Sequence, residues 1–169
     1  MKNIVLTGFM GTGKTAVGRE LSNMLRWRLI DVDEQIVKAQ GMDISEIFNR
    51  FGEPTFRDIE TTTIREIALQ NHVIISTGGG AVLRDENMAI LRRNGVIVNL
   101  SATPDTILKR TRGNNERPLL RVDDPMKKIR ELLEARGPFY GKADIMLDTE
   151  SKTPRQIAEE IVEIAGWKR

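Results

Sequence analysis

The segment Gly8-Phe9-Met10-Gly11-Thr12-Gly13-Lys14-Thr15 decides the fold, because it fits the pattern G-x-x-x-x-G-K-[ST]. It follows the apolar run Ile4-Val5-Leu6 and opens a stretch of helical period. Glycines in this pattern let backbone N–H groups turn inward around phosphate oxygens, and the helix N-terminus adds positive potential. We expect Lys14 to reach the β- and γ-phosphates of a nucleotide and the Thr15 hydroxyl to ligate magnesium. The segment predicts a phosphate-binding loop between a strand and a helix.

Short apolar runs alternate with stretches of helical period along the rest of the chain. Strands are predicted at residues 4–6, 29–32, 73–75, 96–100 and 145–147. Helices are predicted at residues 15–25, 43–51, 55–69, 87–93, 104–112, 126–136 and 154–164. This alternation predicts an α/β fold of three layers, in which helices flank a five-stranded parallel sheet. Ligands of such sheets bind beyond the carboxyl ends of the strands.

Three of the predicted helices carry a recognisable start signal. Asp43 and Glu46 have the spacing of a capping box, in which two side chains satisfy the free N–H groups of the first turn. Pro104 and Pro154 fit first-turn positions, where a missing N–H has no consequence. These signals predict where the three helices begin.

Length and composition limit the class of protein. The 169 residues, 40% hydrophobic and 30% charged, fit one globular domain without repeats. No apolar run approaches the ~20 residues of a membrane span, and no cysteine is present for a disulfide, a thiolate metal site or a nucleophile. The formal charge is only +2, and arginines fall in apparent loops, which favours small anionic ligands over nucleic acid. We expect a cytoplasmic protein without a membrane partner.

Residues 113–124 form a polar stretch without clear period. The stretch contains one proline, Pro118, and two arginines, Arg117 and Arg121. We interpret it as a mobile loop that serves function. The alternative is a plain surface connection, although loops of this length are uncommon in compact domains unless they have a role.

Asp31 and Asp33 close the second predicted strand. Side chains alternate along a strand, so both carboxylates are expected on the same side. Beside a phosphate-binding loop, one can hold magnesium through water while the other accepts the proton of an attacking hydroxyl. The structural alternative is a strand-end Asp31 followed by Asp33 as a helix N-cap.

Three glycines and three arginines complete the candidate site. Gly78-Gly79-Gly80 follows the third predicted strand, where backbone amides without side chains stay open to a ligand, although a flexible turn is an equal alternative. Arg57, Arg117 and Arg136 are candidates to bind carboxylate or phosphate, and each is individually also explained as a surface residue. The single histidine, His72, is interpreted as structural.

Six motifs together resemble one known family. In chain order they are Gly-Phe-Met-Gly-Thr-Gly-Lys-Thr from Gly8, Asp-Val-Asp from Asp31, Gly-Glu-Pro-Thr-Phe-Arg-Asp-Ile-Glu from Gly52, Gly-Gly-Gly from Gly78, Arg-Pro-Leu-Leu from Arg117, and Arg-Gly-Pro-Phe-Tyr from Arg136. The chain resembles the shikimate kinases, from the first predicted strand to the last helix. Their order and spacing are far more specific than the phosphate-binding loop alone.

The resemblance implies a fold and a reaction. The fold is the P-loop NTPase fold of nucleoside-monophosphate-kinase type, with strand order 2-3-1-4-5, as a single domain over residues 1–169 with a lid at about 112–124 and a shikimate-binding segment at about 33–60. The reaction moves a phosphate from magnesium-ATP to the 3-hydroxyl of shikimate, giving shikimate 3-phosphate and ADP on the route to chorismate and aromatic amino acids. A monomer is expected.

The resemblance also implies residue roles. Asp33 would hold and deprotonate the hydroxyl, and Lys14 and Arg117 would stabilise the transferring phosphate. Shikimate would contact Asp33, Arg57, Gly78, Gly79, Gly80 and Arg136. ATP would contact Gly11, Thr12, Gly13, Lys14, Thr15, Ala16, Arg110, Arg117 and Lys152. Magnesium would be bound by Thr15 and, through water, by Asp31. The pocket would be shaped by Phe48, Phe56, Glu60, Pro118 and Leu119.

Two departures from the family pattern and three rival functions remain. Thr15 replaces the commoner serine and keeps the hydroxyl, whereas Lys152 stands where arginine is frequent, so the adenine contact is affected most.

A gluconate kinase-like enzyme shares the architecture and also needs an arginine for a carboxylate. Nucleotide kinases need a base-reading pocket that the sequence does not locate. A non-catalytic nucleotide-binding module would have lost turnover, which intact Lys14, Asp33 and Arg117 argue against.

Overall fold

The computed structural model describes residues 2–111 and 122–167. The strands in these ranges are β1 (Asn3–Gly8), β2 (Arg28–Asp31), β3 (Val73–Ser76), β4 (Gly95–Ser101) and β5 (Ile145–Asp148). The helices are α1 (Lys14–Leu25), α2 (Val32–Gln40), α3 (Ile44–Ala68), α4 (Asp85–Arg93), α5 (Pro104–Thr111), α6 (Pro125–Tyr140) and α7 (Pro154–Ile164). None of the helices described is both long enough and apolar enough to span a membrane. Most of the predicted lid, including Arg117, Pro118 and Leu119, lies outside the described residues.

The five strands form one parallel sheet in the order β2-β3-β1-β4-β5. Ile4 of β1 pairs with Ile74 of β3 on one side and with Val96 of β4 on the other. The predicted order 2-3-1-4-5 and the three-layer arrangement are therefore confirmed. This order puts β1 at the centre, so the phosphate-binding loop leaves the middle of the sheet.

Alternate residues of β1 pack against helices on the two faces of the sheet, which is why the whole strand is buried. Val5 joins a core with residues of α2, α3, α4 and α6. Ile4 and Leu6 join a second core with α1 and α7. Each fully buried side chain of this size contributes roughly 1.5–3 kcal/mol relative to an exposed one. The two cores hold the central strand rigidly beneath the loop that follows it.

Helix α2 was not predicted, and its presence changes the basis of one expectation. The Oδ1 atom of Asp31 accepts hydrogen bonds from the backbone N–H groups of Asp33 (3.0 Å) and Glu34 (3.3 Å), so Asp31 is the N-cap. Gly41 closes the helix in the left-handed region. Strand β2 therefore ends at Asp31. The predicted strand alternation that would put the side chains of Asp31 and Asp33 on the same side is wrong. Asp33 lies in the first turn of α2.

The predicted helices 43–51 and 55–69 are the two halves of α3. They meet at Gly52, whose φ of 80° interrupts the helical backbone. Asp43 is the N-cap but makes no side-chain capping hydrogen bond, so the predicted capping box is wrong. Glu46 instead forms an ion pair with Arg50 at 2.5 Å. In contrast, Pro104 and Pro154 do begin α5 and α7, as predicted.

Helix α6 extends beyond its predicted end at residue 136. It continues through Gly137 and Pro138 to Tyr140, and the N–H of Gly141 donates to the carbonyl of Gly137 at 3.0 Å. Arg136 therefore lies inside a helix and is held by its backbone, with only 8% of its surface exposed. The extension gives this arginine a fixed position.

Candidate active site

Backbone geometry defines the phosphate-binding loop, residues 8–15, between β1 and α1. Gly8 has a φ of 135°, and a Cβ there would collide with the carbonyl oxygen of Leu100. Gly13, the N-cap of α1, has a φ of 97° in the left-handed region. The Thr12 hydroxyl donates to the Phe9 carbonyl at 2.8 Å and ties the loop to itself. The loop is thus held ready to present N–H groups to phosphate.

Lys14 folds back over this loop. Its Nζ donates to the carbonyl oxygens of Gly8 (2.8 Å) and Phe9 (2.9 Å). Phosphate oxygens can replace these carbonyls as stronger, charge-assisted acceptors. Thr15 and Ala16 follow in the first turn of α1 and are exposed. The predicted nucleotide-binding residues of the loop are therefore adjacent and accessible.

The residues predicted to bind magnesium fit a nucleotide-bound ion better than a protein-bound one. Among the residues that the structure describes, no group of three or more His, Cys, Asp or Glu is arranged to hold a metal. Magnesium in phosphoryl-transfer sites takes most of its ligands from phosphate and water. Asp31 uses Oδ1 to cap α2, while Oδ2 makes no hydrogen bond with the described part of the chain. A carboxylate oxygen is thus available to a metal-bound water.

The turn formed by Gly78, Gly79 and Gly80 packs against three charged side chains, one for each glycine. A Cβ on Gly78 would lie 3.0 Å from Oδ1 of Asp33. One on Gly79 would lie 3.4 Å from Nη1 of Arg136. A Cβ on Gly80 would overlap the guanidinium of Arg57, with Cζ at 2.8 Å. The absence of side chains on this turn is what allows the three charges to converge.

We call these residues, together with Glu60, the glycine-turn cluster (Asp33, Arg57, Glu60, Gly78–Gly80 and Arg136). Its members come from α2, α3, the segment after β3, and α6. The structure therefore brings together every predicted shikimate-binding residue, at the carboxyl edge of the sheet beside the phosphate-binding loop.

Burial raises the pKa of Asp33 from 3.8 to about 6. The nearby carboxylates of Asp31 and Glu60 add to this effect, whereas the positive charges of Lys14 and Arg57 partly offset it. A carboxylate with a pKa near neutrality is a more effective general base than an exposed one, because it holds a proton more strongly yet is still ionised at pH 7. The environment of Asp33 suits proton abstraction from a hydroxyl.

Arg57 already has two carboxylate partners. Its Nη1 donates to Oε2 of the fully buried Glu60 at 2.8 Å, and its Nε and Nη2 donate to Oε1 of the exposed Glu53 at 3.3 and 3.1 Å. Burial raises the pKa of Glu60, and Arg57 opposes that shift. The other oxygen of Glu60, Oε1, is buried without a hydrogen-bond partner among the described residues. Arg57 is thus anchored in the core by Glu60.

Arg136 differs from Arg57 because it is buried without a carboxylate partner among the residues that the structure describes. Its guanidinium lies over the ring of Phe9, with Cζ 5.8 Å from the ring centroid, and it interacts with the hydroxyl of Tyr140. Buried charges are normally paired, because desolvation of an isolated charge is unfavourable. An unpaired buried guanidinium at the sheet edge indicates a binding site for an anion.

Two further predicted residues lie on the other side of the phosphate-binding loop. Arg110, in the last turn of α5, donates to the carbonyl of Gly11 (3.3 Å) and to Oγ1 (3.0 Å) and O (3.2 Å) of Thr149. Lys152 is exposed, and its Nζ donates to Glu160 of α7 at 2.6 Å. Arg110 therefore contacts the loop directly, whereas the ammonium of Lys152 is directed to a helix.

The predicted pocket-shaping residues are only partly described. The rings of Phe48 and Phe56 lie 4.6 Å apart, and Cζ of Arg57 lies 5.1 Å from the centroid of Phe56. Glu53 was not predicted as a partner of Arg57, and Phe9 and Tyr140 were not predicted as neighbours of Arg136. The spacing of Tyr140 four residues after Arg136 was the available signal, because such residues share a helix face.

A comparison with known families identifies the family of the chain. The family model described as "Shikimate kinase" matches residues 10–165. The chain belongs to the shikimate kinase family. It is 52% identical over 162 residues to the shikimate kinase of Thermodesulfovibrio yellowstonii, covering 96% of this chain and 94% of that protein. It is 50% identical over 163 residues to that of Caldanaerobacter subterraneus, covering 96% and 95%.

Solved structures agree with this assignment. The shikimate kinase from Acinetobacter baumannii, solved in complex with shikimate, superposes with a TM-score of 0.93 at 36% identity, covering 98% of this chain and 93% of that chain. A gluconokinase from Sinorhizobium meliloti has a TM-score of 0.62 at 17% identity and shares the fold alone. Shikimate kinases are phosphotransferases that use ATP as co-substrate in aromatic amino acid biosynthesis, so the membership assigns that class of reaction to the chain.

Proposed function

We propose that this chain transfers the γ-phosphate of ATP to the 3-hydroxyl of shikimate through the glycine-turn cluster, giving shikimate 3-phosphate and ADP. The observation that carries the residue assignment is the convergence of Asp33, Arg57 and Arg136 on the turn Gly78–Gly80. Shikimate has one carboxylate and three hydroxyl groups, which match two guanidinium groups and one carboxylate of raised pKa.

The shikimate carboxylate binds at Arg136 in this proposal. Arg136 is buried and has no carboxylate partner among the described residues, so an incoming carboxylate supplies the missing charge. A fork of two charge-assisted hydrogen bonds then fixes the substrate's orientation. Arg57 contributes the N–H groups that Glu53 and Glu60 leave unused, because three of its five N–H groups are engaged by these carboxylates. The backbone of Gly78–Gly80 lies between the two arginines.

Asp33 acts as the general base. Its pKa of about 6 keeps it ionised at neutral pH, and its position beside Lys14 places it next to the nucleotide side of the site. Removal of the hydroxyl proton by a positioned base contributes typically 10²- to 10⁴-fold to a rate. The proton moves to Asp33 as the substrate oxygen attacks phosphorus, and the bond to the leaving oxygen of ADP breaks.

ATP binds along the phosphate-binding loop. The N–H groups of Gly11, Thr12 and Gly13, together with those that begin α1 at Lys14, Thr15 and Ala16, surround the phosphates, and Lys14 exchanges its two carbonyl partners for phosphate oxygens. Arg110 and Lys152 flank adenine. Arg117, which lies outside the described residues, stabilises the transferring phosphate from the lid at about 112–124. Lid closure also excludes water that competes with shikimate for the phosphate.

Magnesium is the expected metal. Thr15 would hold it through the hydroxyl, and Asp31 would order one of its waters. When bound, it would supply positive charge that offsets the negative charge developing on the transferring phosphate. Oδ2 of Asp31 makes no hydrogen bond within residues 2–111 and 122–167, and Thr15 is exposed, which supports this placement.

We also propose a cytoplasmic monomer as the working form. The cysteine-free sequence suits a reducing compartment. A single chain supplies all the described members of the glycine-turn cluster and the phosphate-binding loop. Gel filtration of the purified chain measures the oligomeric state, and elution at the size of a dimer would reject the monomer.

The test of the function is ADP release with magnesium-ATP and a panel of acceptors: shikimate, gluconate and nucleoside monophosphates. We expect release with shikimate alone, and loss of release when EDTA removes magnesium. Release with another acceptor but not with shikimate would retain the kinase and reject the substrate. Absence of release with every acceptor would instead favour a non-catalytic nucleotide-binding module.

A further inference from the structure

Tyr140 links two parts of the glycine-turn cluster through one hydroxyl group. It is the last residue of α6, and its side chain is buried, with 6% of the residue exposed. Its Oη donates to the carbonyl oxygen of Gly79 at 2.8 Å. Burial raises the pKa of Tyr140, and the guanidinium of Arg136 opposes the shift through its charge and a hydrogen bond to the phenol oxygen. One hydroxyl therefore lies against both the turn and the buried guanidinium of Arg136.

A phenol is suited to this double contact, because it donates one hydrogen bond and accepts others. The carbonyl of Gly79 accepts the hydrogen bond from Oη at 2.8 Å, and the guanidinium of Arg136 lies beside the same hydroxyl, where it can donate. A Cβ on Gly79 would lie 3.4 Å from Nη1 of Arg136 and 3.6 Å from Oη of Tyr140, so the three groups are in close proximity. Arg136 and Tyr140 are four residues apart and share one face of α6.

Few other contacts orient the Arg136 guanidinium. In the described part of the chain it forms no ion pair, and its second aromatic neighbour, Phe9, lies 5.8 Å away beneath the guanidinium. A ring face attracts a cation without fixing the direction of its N–H groups. By contrast, Arg57 is oriented by two carboxylates. Among the described residues, the hydroxyl of Tyr140 is thus a directional contact of Arg136.

We propose that Tyr140 is a positioning residue for the acceptor, whose hydroxyl aims the Arg136 guanidinium and fixes the Gly79 peptide so that both face the substrate carboxylate. The proposal rests on the proposed function, since it assigns a role in binding the same carboxylate. Tyr140 acts through Arg136 and Gly79 and does not itself contact the substrate.

The test compares Tyr140→Phe, which removes the hydroxyl and keeps the ring, with Ser22→Ala as a matched control. Ser22 lies in α1, and its hydroxyl donates to the carbonyl of Trp27 at 2.6 Å, so both variants delete one hydroxyl that binds a backbone carbonyl. For Tyr140→Phe we expect the KM for shikimate to rise about tenfold or more, because a hydrogen bond to a charged group is lost. We expect the KM for ATP and the kcat to change less than about threefold, and Tm to shift no more than in Ser22→Ala.

An unchanged KM for shikimate in Tyr140→Phe would overturn the proposal. An equal rise in the KM values for shikimate and ATP would also overturn it, because it would indicate a general structural role. A second measurement adds Tyr140→Phe to an Arg136→Ala background. If the hydroxyl acts through Arg136, adding Tyr140→Phe to Arg136→Ala changes the KM for shikimate little further. If the double variant instead shows the product of the two single effects on this KM, the hydroxyl does not act through Arg136.

The same series separates this proposal from the function on which it rests. If the wild-type chain does not phosphorylate shikimate, or Arg136→Ala leaves the KM for shikimate unchanged, the assignment of the carboxylate site fails and the role of Tyr140 fails with it. If Arg136→Ala raises that KM and Tyr140→Phe does not, only the positioning role is rejected.

Discussion

The phosphate-binding loop and the glycine-turn cluster lie at the same edge of the sheet but are built in opposite ways. The loop consists of backbone groups, and its Lys14 is satisfied by the loop's own carbonyls. The cluster instead buries ionisable side chains, of which Arg136 has no carboxylate partner and Glu60 has an unsatisfied oxygen in the described structure. The phosphate-binding loop is thus formed by local backbone geometry. The glycine-turn cluster is formed by buried charged side chains, whose burial destabilises the fold.

The largest expected effect is on turnover in Asp33→Asn. Loss of the general base should lower kcat about 10²- to 10⁴-fold, because the amide cannot take the hydroxyl proton. ATP binding depends on the phosphate-binding loop and should hardly change. Single-turnover kinetics and nucleotide titration measure the two quantities, and Glu34→Gln, a neighbouring exposed carboxylate on α2, serves as control. Turnover equal to that of the control would reject Asp33 as the base.

The second effect is on stability and separates the two arginines. Arg57→Ala leaves Glu60 buried without its partner and should lower the free energy of unfolding by about 3–5 kcal/mol. Arg136→Ala removes a buried charge without orphaning a carboxylate and should change it by less than about 1 kcal/mol. Urea unfolding measures both. Equal losses would show that Arg136 has a stabilising partner of the same strength.

The third effect concerns the close packing of Arg57 on the turn. Gly80→Ala places a methyl group on the guanidinium, which must move, and should weaken shikimate binding by about 1.5–3 kcal/mol through loss of a charged hydrogen bond. Gly137→Ala is the control, because a Cβ there meets no atom within 4 Å. Isothermal titration with shikimate compares the two. Similar affinities would remove the steric argument for glycine at position 80.

The smallest effect is a pH-dependent stability difference at Asp33. The folded-state pKa of about 6 exceeds the ordinary value of 3.8, so the charged form is disfavoured by folding. The penalty is absent below about pH 3.8, grows as pH rises, and is complete above about pH 6. Asp33→Asn should therefore be more stable than wild type at pH 7 by about 1–2 kcal/mol. A shift of two pKa units corresponds to ~3 kcal/mol, but the expected difference is smaller because Asp33 is half-buried and solvent screens its charge.

Thermal unfolding at pH 4 and pH 7 measures this difference. A Tm advantage of Asp33→Asn at pH 7 that disappears at pH 4 agrees with the raised pKa. An advantage of equal size at both pH values would show that the substitution stabilises the fold for another reason.

The two regions also differ in how well they could be predicted from the sequence. The phosphate-binding loop was predictable because a motif of fixed spacing determines local conformation, whereas the strand order and the family were predicted from the resemblance of six motifs. Helix α2 was missed although Asp31 and Gly41 mark its two ends, since its short apolar stripe offers little periodicity. The alignment of Asp31 and Asp33 was therefore inferred from strand alternation that does not occur. The family resemblance independently implied that both residues lie near the site.

Asp33, Arg57 and Arg136 were predicted as site residues, but the burial and the partners of the charges in the glycine-turn cluster were not predictable from the sequence. Glu60 and Arg136 owe their burial to the packing of α3 and α6, and the hydrogen bond from Tyr140 to Gly79 joins residues 61 positions apart. Such long-range contacts leave no periodic trace in the sequence. The predicted capping box at Asp43 failed for a related reason, because Glu46 is engaged by Arg50 on the helix surface.

The measurement that tests the account most directly is shikimate-dependent ADP release by the wild type and Arg136→Ala, first with shikimate varied at saturating magnesium-ATP and then with magnesium-ATP varied at saturating shikimate. The account predicts release by the wild type, a KM for shikimate raised roughly tenfold or more in the variant, and an unchanged KM for ATP, because only the unpaired buried guanidinium is lost. A variant that matches the wild type, or a wild type that releases no ADP with shikimate, would contradict it.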